Sequence, residues 1–251
     1  VPTGFVVCLS LVLAGAAGNI IDCVFYGLIF NNPPAPFTAH FVPFGTGYES
    51  VFHGRVVDMS ADPRCGQFAY FRRMTFPFAG ITAEVDITDL MAARNGRPFF
   101  LSMLYAVTRA VNAVPQLRRR ITEDGAVVEY DWCAPSYTAM KPDGVYVYCT
   151  VEGDLPYDEF VRLGQSRQRE VLERGTLTED GDIRGMIFVS SVPWLHYTQL
   201  QHPAESPDDS NPRISWGKYV TANGRTTLPV SLFVNHALAD GLHISRFFRN
   251  L

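Results

Sequence analysis

Cysteine is scarce in this chain and poorly placed for structural work. The 251 residues include only Cys8, Cys23, Cys65, Cys133 and Cys149, with no Cys-x-x-Cys pair and an odd thiol left over in any full disulfide scheme. That excludes a disulfide-built scaffold and predicts reduced thiols in a cytoplasmic main domain. The six histidines lack His-Glu-x-x-His or His-x-His spacing, so no metal site is expected. Charge is thin as well: 18% of the residues are charged, the net charge is −4 and the pI lies near 5.9. Without a basic stripe to neutralise phosphates, nucleic acid is excluded as a main partner. The one dense basic run, Arg118-Arg119-Arg120, reads as a helix end where cations complement the dipole. Neither Gly-x-Gly-x-x-Gly nor Gly-x-x-x-x-Gly-Lys-Ser/Thr occurs, so no glycine-rich phosphate cradle is expected.

What the chain does have is apolar mass. At 47% hydrophobic residues it can bury a large core and, beyond that, a subunit interface. Residues 4–21 carry no Lys, Arg, Asp or Glu and reach the lower edge of a membrane-spanning length. They lack the basic start and Ala-x-Ala end of a secretory signal, and membrane contact is expected only if they insert.

From residue 60 onward the pattern is α/β, an α+β two-layer sandwich with a mixed sheet. Residues 81–87 alternate as a strand, and residues 99–111 follow Pro98 as an apolar-rich helix. Asp124-Gly125 punctuates a hairpin between residues 117–122 and 127–130. Residues 145–151 form a buried strand, and residues 157–174 an amphipathic helix ended by Gly175. Strands are expected at 187–191 and 214–221, with Asn223-Gly224 turning the latter into a strand at 227–235. The Pro-, Ser- and Asp-rich residues 201–212 read as a surface loop.

The strand ending at Asn235 leads into His236-Ala-Leu-Ala-Asp240-Gly241. A histidine at a strand end can present a ring nitrogen to a hydroxyl, and an imidazole with an ordinary pKa of about 6.5 can accept that hydroxyl's proton near neutrality. An acidic residue four positions on, before a turn glycine, can fix the backbone that carries the base. Residues 214–248 as a whole, ISWGKYVTANGRTTLPVSLFVNHALADGLHISRFF, resemble the C-terminal signature of the chloramphenicol acetyltransferase family, where HHxxxDG follows an apolar strand. Phe68-Ala-Tyr-Phe-Arg72, the segments at 85–90 and 110–118, and Ser190-Ser-Val-Pro-Trp194 match in the same order, so the resemblance runs from about residue 56 to the end.

That resemblance implies a CoA-dependent acyltransferase fold and acetyl-CoA as co-substrate. It also implies a small hydroxyl compound such as chloramphenicol as acceptor, and a homotrimer with sites between subunits. His236 takes the place of the general base, with Asn235 standing where the family has a first histidine. Ser190 takes the oxyanion donor's place, and Ser215 replaces a threonine that orders water near the intermediate. Asp240 takes the place of an aspartate that pairs with an arginine, for which Arg72 is the expected partner. Trp194, Lys218 and Tyr219 fall near the coenzyme A tunnel, and residues 76–82 are expected to line the acceptor pocket. Dihydrolipoyl acyltransferases share HxxxDG and the fold, but no lipoyl-bearing domain is present.

A second resemblance covers residues 1–59. Gly18-Asn-Ile-Ile-Asp22 and Val56-Val-Asp58-Met look like the GNxxD and VVD(F/M) signatures of lipoprotein signal peptidase, an aspartyl protease of membranes. It implies an alternative dyad, Asp22 and Asp58, on a truncated apolar helical appendage fused ahead of the acetyltransferase-like residues 60–251. A catalytically dead acetyltransferase homologue is the remaining alternative.

Overall fold

The computed structural model describes residues 53–175 and 182–251. Gly18-Asn-Ile-Ile-Asp22 and the apolar residues 4–21 lie outside them. Among the described residues no helix is long and apolar enough to cross a membrane.

The described residues open with β1 (Gly54–Val57) and α1 (Cys65–Phe71), then β2 (Phe78–Asp86), α2 (Thr88–Ala93) and α3 (Phe99–Asn112). A hairpin of β3 (Arg119–Ile121) and β4 (Val127–Tyr130) is followed by β5 (Ala134–Met140), β6 (Tyr146–Thr150) and α4 (Tyr157–Arg174). The C-terminal part holds β7 (Met186–Val192), β8 (Arg213–Gly217), β9 (Val220–Ala222), β10 (Arg225–Asn235) and α5 (Gly241–Asn250).

Seven strands form one sheet in the order β2-β10-β8-β7-β5-β6, with β9 added on β10. It is mixed: β5–β7 and β7–β8 run parallel and the other pairings antiparallel. One face is apolar at every second residue (Ile187 and Val189, Ile214 and Trp216, Val230, Leu232 and Val234) and packs with Leu101, Leu104, Phe160, Ile244 and Phe247 of the helices in a single core. This is the two-layer α+β arrangement that the alternation predicts.

The local signals act as expected at several points. Gly175 ends α4 in the left-handed region at φ +70°. Asn223 and Gly224, at φ +52° and +76°, make the tight turn between β9 and β10 with both central residues left-handed. The expected strand 214–221 is broken in two instead. The amide of Lys218 donates to the carbonyl of Leu195 (2.7 Å), and a Cβ on Gly217 would lie 2.6 Å from that carbonyl oxygen. Only glycine lets the two segments approach so closely.

β1 corrects the reading of the N-terminal motif. It pairs antiparallel with β4, Val56 opposite Val128 and Val57 opposite Val127, so the Val56-Val-Asp58 stretch belongs to the small sheet β1-β4-β3 and the domain begins ahead of residue 60. Asp58 closes a turn after that strand, its carboxylate accepting from the amide (2.9 Å) and hydroxyl (2.6 Å) of Ser60. Those two bonds hold its pKa below the ordinary value. It is exposed and engaged with its own turn, which is not the setting of a dyad aspartate that shares a proton.

Residues 201–212 are also more than a surface loop. Ser210 is buried and accepts from the amide of Ile121 (2.9 Å), and Arg213 is paired with Asp209 (2.6 Å). Asn235 donates to the carbonyls of Pro207 (2.9 Å) and Asp209 (3.0 Å). The segment is tied to the sheet by polar side chains, which its composition could not reveal.

Candidate active site

His236 follows the last residue of β10 and is held from both sides of its peptide. Its amide donates to the carbonyl of Pro77 (2.7 Å) and its own carbonyl accepts from Arg64 Nη2 (3.0 Å). The ring stacks on Phe71, centroids 4.0 Å apart and planes 16° from parallel. Its Nδ1 lies 3.1 Å from the carbonyl oxygen of Ala239. A carbonyl only accepts, so Nδ1 carries the hydrogen, and in the neutral ring it is Nε2 that has the lone pair. That is the tautomer a general base needs. Asn235 turns the other way, spending its amide on Pro207, Asp209 and Ala237, as strand alternation requires.

Asp240 has a different task. Its carboxylate caps α5 by accepting from the amide of Leu242 (3.0 Å), and its own amide donates to His243 Nδ1 (3.1 Å). The arginine that meets it is Arg64, through Nη1, and not Arg72. Burial alone would raise the Asp240 pKa; Arg64, His243 and the amides of Leu242 and His243 outweigh it and leave the carboxyl below its ordinary value. Arg64 thereby joins the helix cap to the His236 carbonyl. Arg72 faces elsewhere, paired with Asp208 (2.9 Å) and donating to the Gly125 carbonyl (3.3 Å). Both arginines flank α1, but Arg64, just before it, is buried at 9% exposure, whereas Arg72, just after it, turns to the 201–212 segment.

The sheet face away from the helices is built differently. Ser190 lies opposite Ser215, Ser215 opposite Ser231, and Ser231 opposite Thr82. Residues paired in register point the same way, so four hydroxyls form one row across β7, β8, β10 and β2. Thr82 Oγ1 and Ser231 Oγ are 2.7 Å apart, and Ser231 donates to the hydroxyl of Tyr197 (3.3 Å). Ser215 is fully buried and meets Nε2 of His202 at 2.6 Å. The residues after β7 thus lie across this face as a strap. At the β2 end of the row a cavity of about 440 Å³ opens between strap and sheet, lined by Phe76, Phe78, Thr82, Gln199, Gln201 and Phe233 among others.

Trp194, Lys218 and Tyr219 come together at the far end of the strap. The Leu195 carbonyl holds the Lys218 amide, His196 Nδ1 is 2.9 Å from the Lys218 carbonyl, and Tyr219 packs edge-on against Phe99. Trp194 is 67% exposed and Tyr219 42%. Among the described residues no cluster of three or more His, Cys, Asp or Glu could hold a metal.

The register also separates two of these groups. Ser231 is the β10 residue in the Ser190 row, and His236 is five residues beyond it. At about 3.3 Å per residue along the strand and about 4.8 Å for each of two strand spacings, the two side chains stand roughly 20 Å apart within one chain.

Sequence reasoning missed Arg64 and His202. Arg64 lies 176 residues from Asp240, and only the resemblance at the start of the domain, aligned a few residues earlier, could have pointed to it; His202 lies in a segment read as a surface loop, 13 residues from Ser215.

The chain is similar to known proteins over most of its length. A chloramphenicol acetyltransferase from Escherichia coli is 26% identical over 212 residues, covering 82% of this chain and 93% of the relative. One from Streptomyces acrimycini is 27% identical over 203 residues, covering 78% and 91%. A solved chloramphenicol acetyltransferase superposes with a TM-score of 0.67 at 29% identity, covering 78% of this chain and 97% of the other. The resemblance of the N-terminal residues to signal peptidase finds no support among these matches. The chloramphenicol acetyltransferase family model matches residues 53–251, Asp58 included, and the chain belongs to that family of acyltransferases.

Proposed function

We propose that the chain transfers an acetyl group from acetyl-CoA to a hydroxyl of chloramphenicol, with His236 as general base. The observation that carries this reading is the His236 ring, locked by Phe71 and by the Ala239 carbonyl at Nδ1, which leaves Nε2 as the basic nitrogen of the neutral ring. Nε2 removes the acceptor's hydroxyl proton as that oxygen attacks the thioester carbonyl carbon. The tetrahedral oxyanion accepts a hydrogen bond from Ser190, with Ser215 beside it in the row. Collapse breaks the carbon–sulfur bond, and the departing thiolate takes the proton back from the imidazolium.

The other groups fit this scheme. The cavity, of a size suited to a drug-sized compound, presents three phenylalanines to an aryl ring and Thr82, Gln199 and Gln201 to polar substituents. Trp194 and Tyr219 suit the adenine of acetyl-CoA, and Lys218 its phosphates. Asp240 and Arg64 hold the base-bearing turn and touch no reactant. Because His236 and Ser190 of one chain stand roughly 20 Å apart, one site needs the base of one copy and the hydroxyl row of the next. A closed homo-oligomer meets that need, and the likeness to the chloramphenicol acetyltransferases implies a homotrimer, with three identical sites.

The test is thiol release from acetyl-CoA with and without chloramphenicol, in wild type and His236→Ala. Release that depends on chloramphenicol and disappears in the variant is expected. Full activity in His236→Ala would sink the mechanism, and a wild type that releases no thiol would sink the acceptor.

A further inference from the structure

The strap carries a histidine that the mechanism above does not use. His202 follows directly on the cavity-lining residues 198–201, and its ring is partly buried near Phe233, centroids 6.4 Å apart. Its Nε2 makes a short bond, 2.6 Å, with the hydroxyl of Ser215. Ser215 is 0% exposed, so that hydroxyl has no bulk water to turn to. A hydroxyl has a single proton and two lone pairs. If the ring donates to the oxygen, the serine proton is free to leave along the row, whose next member on that side is Ser190. If the ring accepts, the proton is consumed and Ser215 has nothing to give.

We propose that His202 is a positioning residue for acyl transfer. Its Nε2–H donates to Ser215 and so directs the Ser215 proton at the oxyanion held by Ser190. The role rests on the acetyltransferase reading and extends it: the oxyanion site has two hydroxyl donors, one set by the strap that also walls the acceptor cavity. Acceptor and oxyanion donor are thereby coupled, since a group pressing on residues 198–201 presses on the segment that carries His202. The ring stays neutral through the working range, because burial and then the nearby Arg213 bring its pKa down to about 4. A neutral ring has one N–H to place, and the placement is the content of the proposal.

The experiment is steady-state kinetics on the full chain with acetyl-CoA and chloramphenicol, for His202→Leu, His202→Gln and each combined with Ser215→Ala. Losing the donor should lower kcat about tenfold in His202→Leu while the KM for acetyl-CoA stays within about twofold. His202→Gln, whose amide can donate from a similar reach, should recover most of the loss. In the Ser215→Ala background His202→Leu should cost almost nothing more, because the bond it removes is already absent. An equal loss in both backgrounds would mean that His202 only props the strap, and would overturn the role. So would nitrogen chemical shifts of the His202 ring showing Nε2 without its proton. A wild type that does not turn over sinks the acetyltransferase reading and this role together; an active wild type with an unimpaired His202→Leu sinks this role alone.

Discussion

The two ends of the site are built on opposite plans. Around His236 the fixing groups are backbone carbonyls, a helix cap and an ion pair: Pro77, Ala239, Asp240 and Arg64. Around Ser190 and Ser215 the groups are neutral hydroxyls in register on neighbouring strands, covered by a strap. The first arrangement has a local centre, since the ring, the Ala239 carbonyl and the cap lie within five residues of one another, and Arg64, Phe71 and Pro77 close on it from the start of the domain. The second exists only once the sheet has formed. A base must hold one tautomer and one orientation through turnover, and a short rigid turn gives that. An oxyanion needs donors waiting where charge develops, which a flat sheet face supplies in a row.

The most severe way to break the comparison is to destroy one end in each of two chains. His236→Ala alone should cost about 10³- to 10⁴-fold in kcat, the upper range for losing a general base. Ser190→Ala alone should cost about 10²- to 10³-fold. If each site takes its base from one copy and its row from the next, co-refolding the two variants should restore activity at about a quarter of the sites in randomly mixed rings. Kinetics of the mixture against each variant alone decides the matter, and absence of recovery from a mixed oligomer would place both ends of a site in one chain.

Next in size is the ion pair that holds the base-bearing turn. Arg64→Ala leaves the Asp240 carboxylate without its guanidinium. Thermal or urea unfolding should show a loss of about 3 kcal/mol, the low end for breaking a buried pair, since a third of the Asp240 side chain still meets water. Arg72→Ala breaks a pair with Asp208 that is partly open to solvent and should cost less, about 1 kcal/mol. The reverse order would restore Arg72 as the partner of Asp240.

That pair shows where the sequence stopped being legible. The helices at 99–112 and 157–174 and the turn at Asn223-Gly224 all rest on periodicity, caps and turn residues within a few positions of one another. Asp240 announces that it needs a cation, but Arg64, Arg72 and Arg73 bracket one short helix, and which of them is buried depends on how that helix packs against a turn far along the chain. Val56-Val-Asp58 looked foreign for the same reason: its strand partner, β4, lies about 70 residues on. The hydroxyl row was invisible because no single serine signals anything; only register aligns Ser190, Ser215, Ser231 and Thr82.

The smallest expected effect concerns the strap, and acid is the means to reach it. His202 has a pKa of about 4 in the folded chain against an ordinary 6.5. Between those values the unfolded chain binds more protons, so stability is full above about pH 6.5 and falls as pH drops toward 4. Over pH 7 to 5 this one ring should cost at most about 2 kcal/mol, less in proportion to its remaining contact with water. Asp240 and His243 also have depressed pKa values and add their own losses in acid, so wild type alone does not isolate the strap. The difference between wild type and His202→Gln does, because glutamine keeps a donor and cannot titrate. Unfolding of both at pH 7 and pH 5 should show wild type losing more by about 1–2 kcal/mol. Equal losses would mean that the ring is as free to protonate as one in water, and that burial and Arg213 do not hold it in the neutral form.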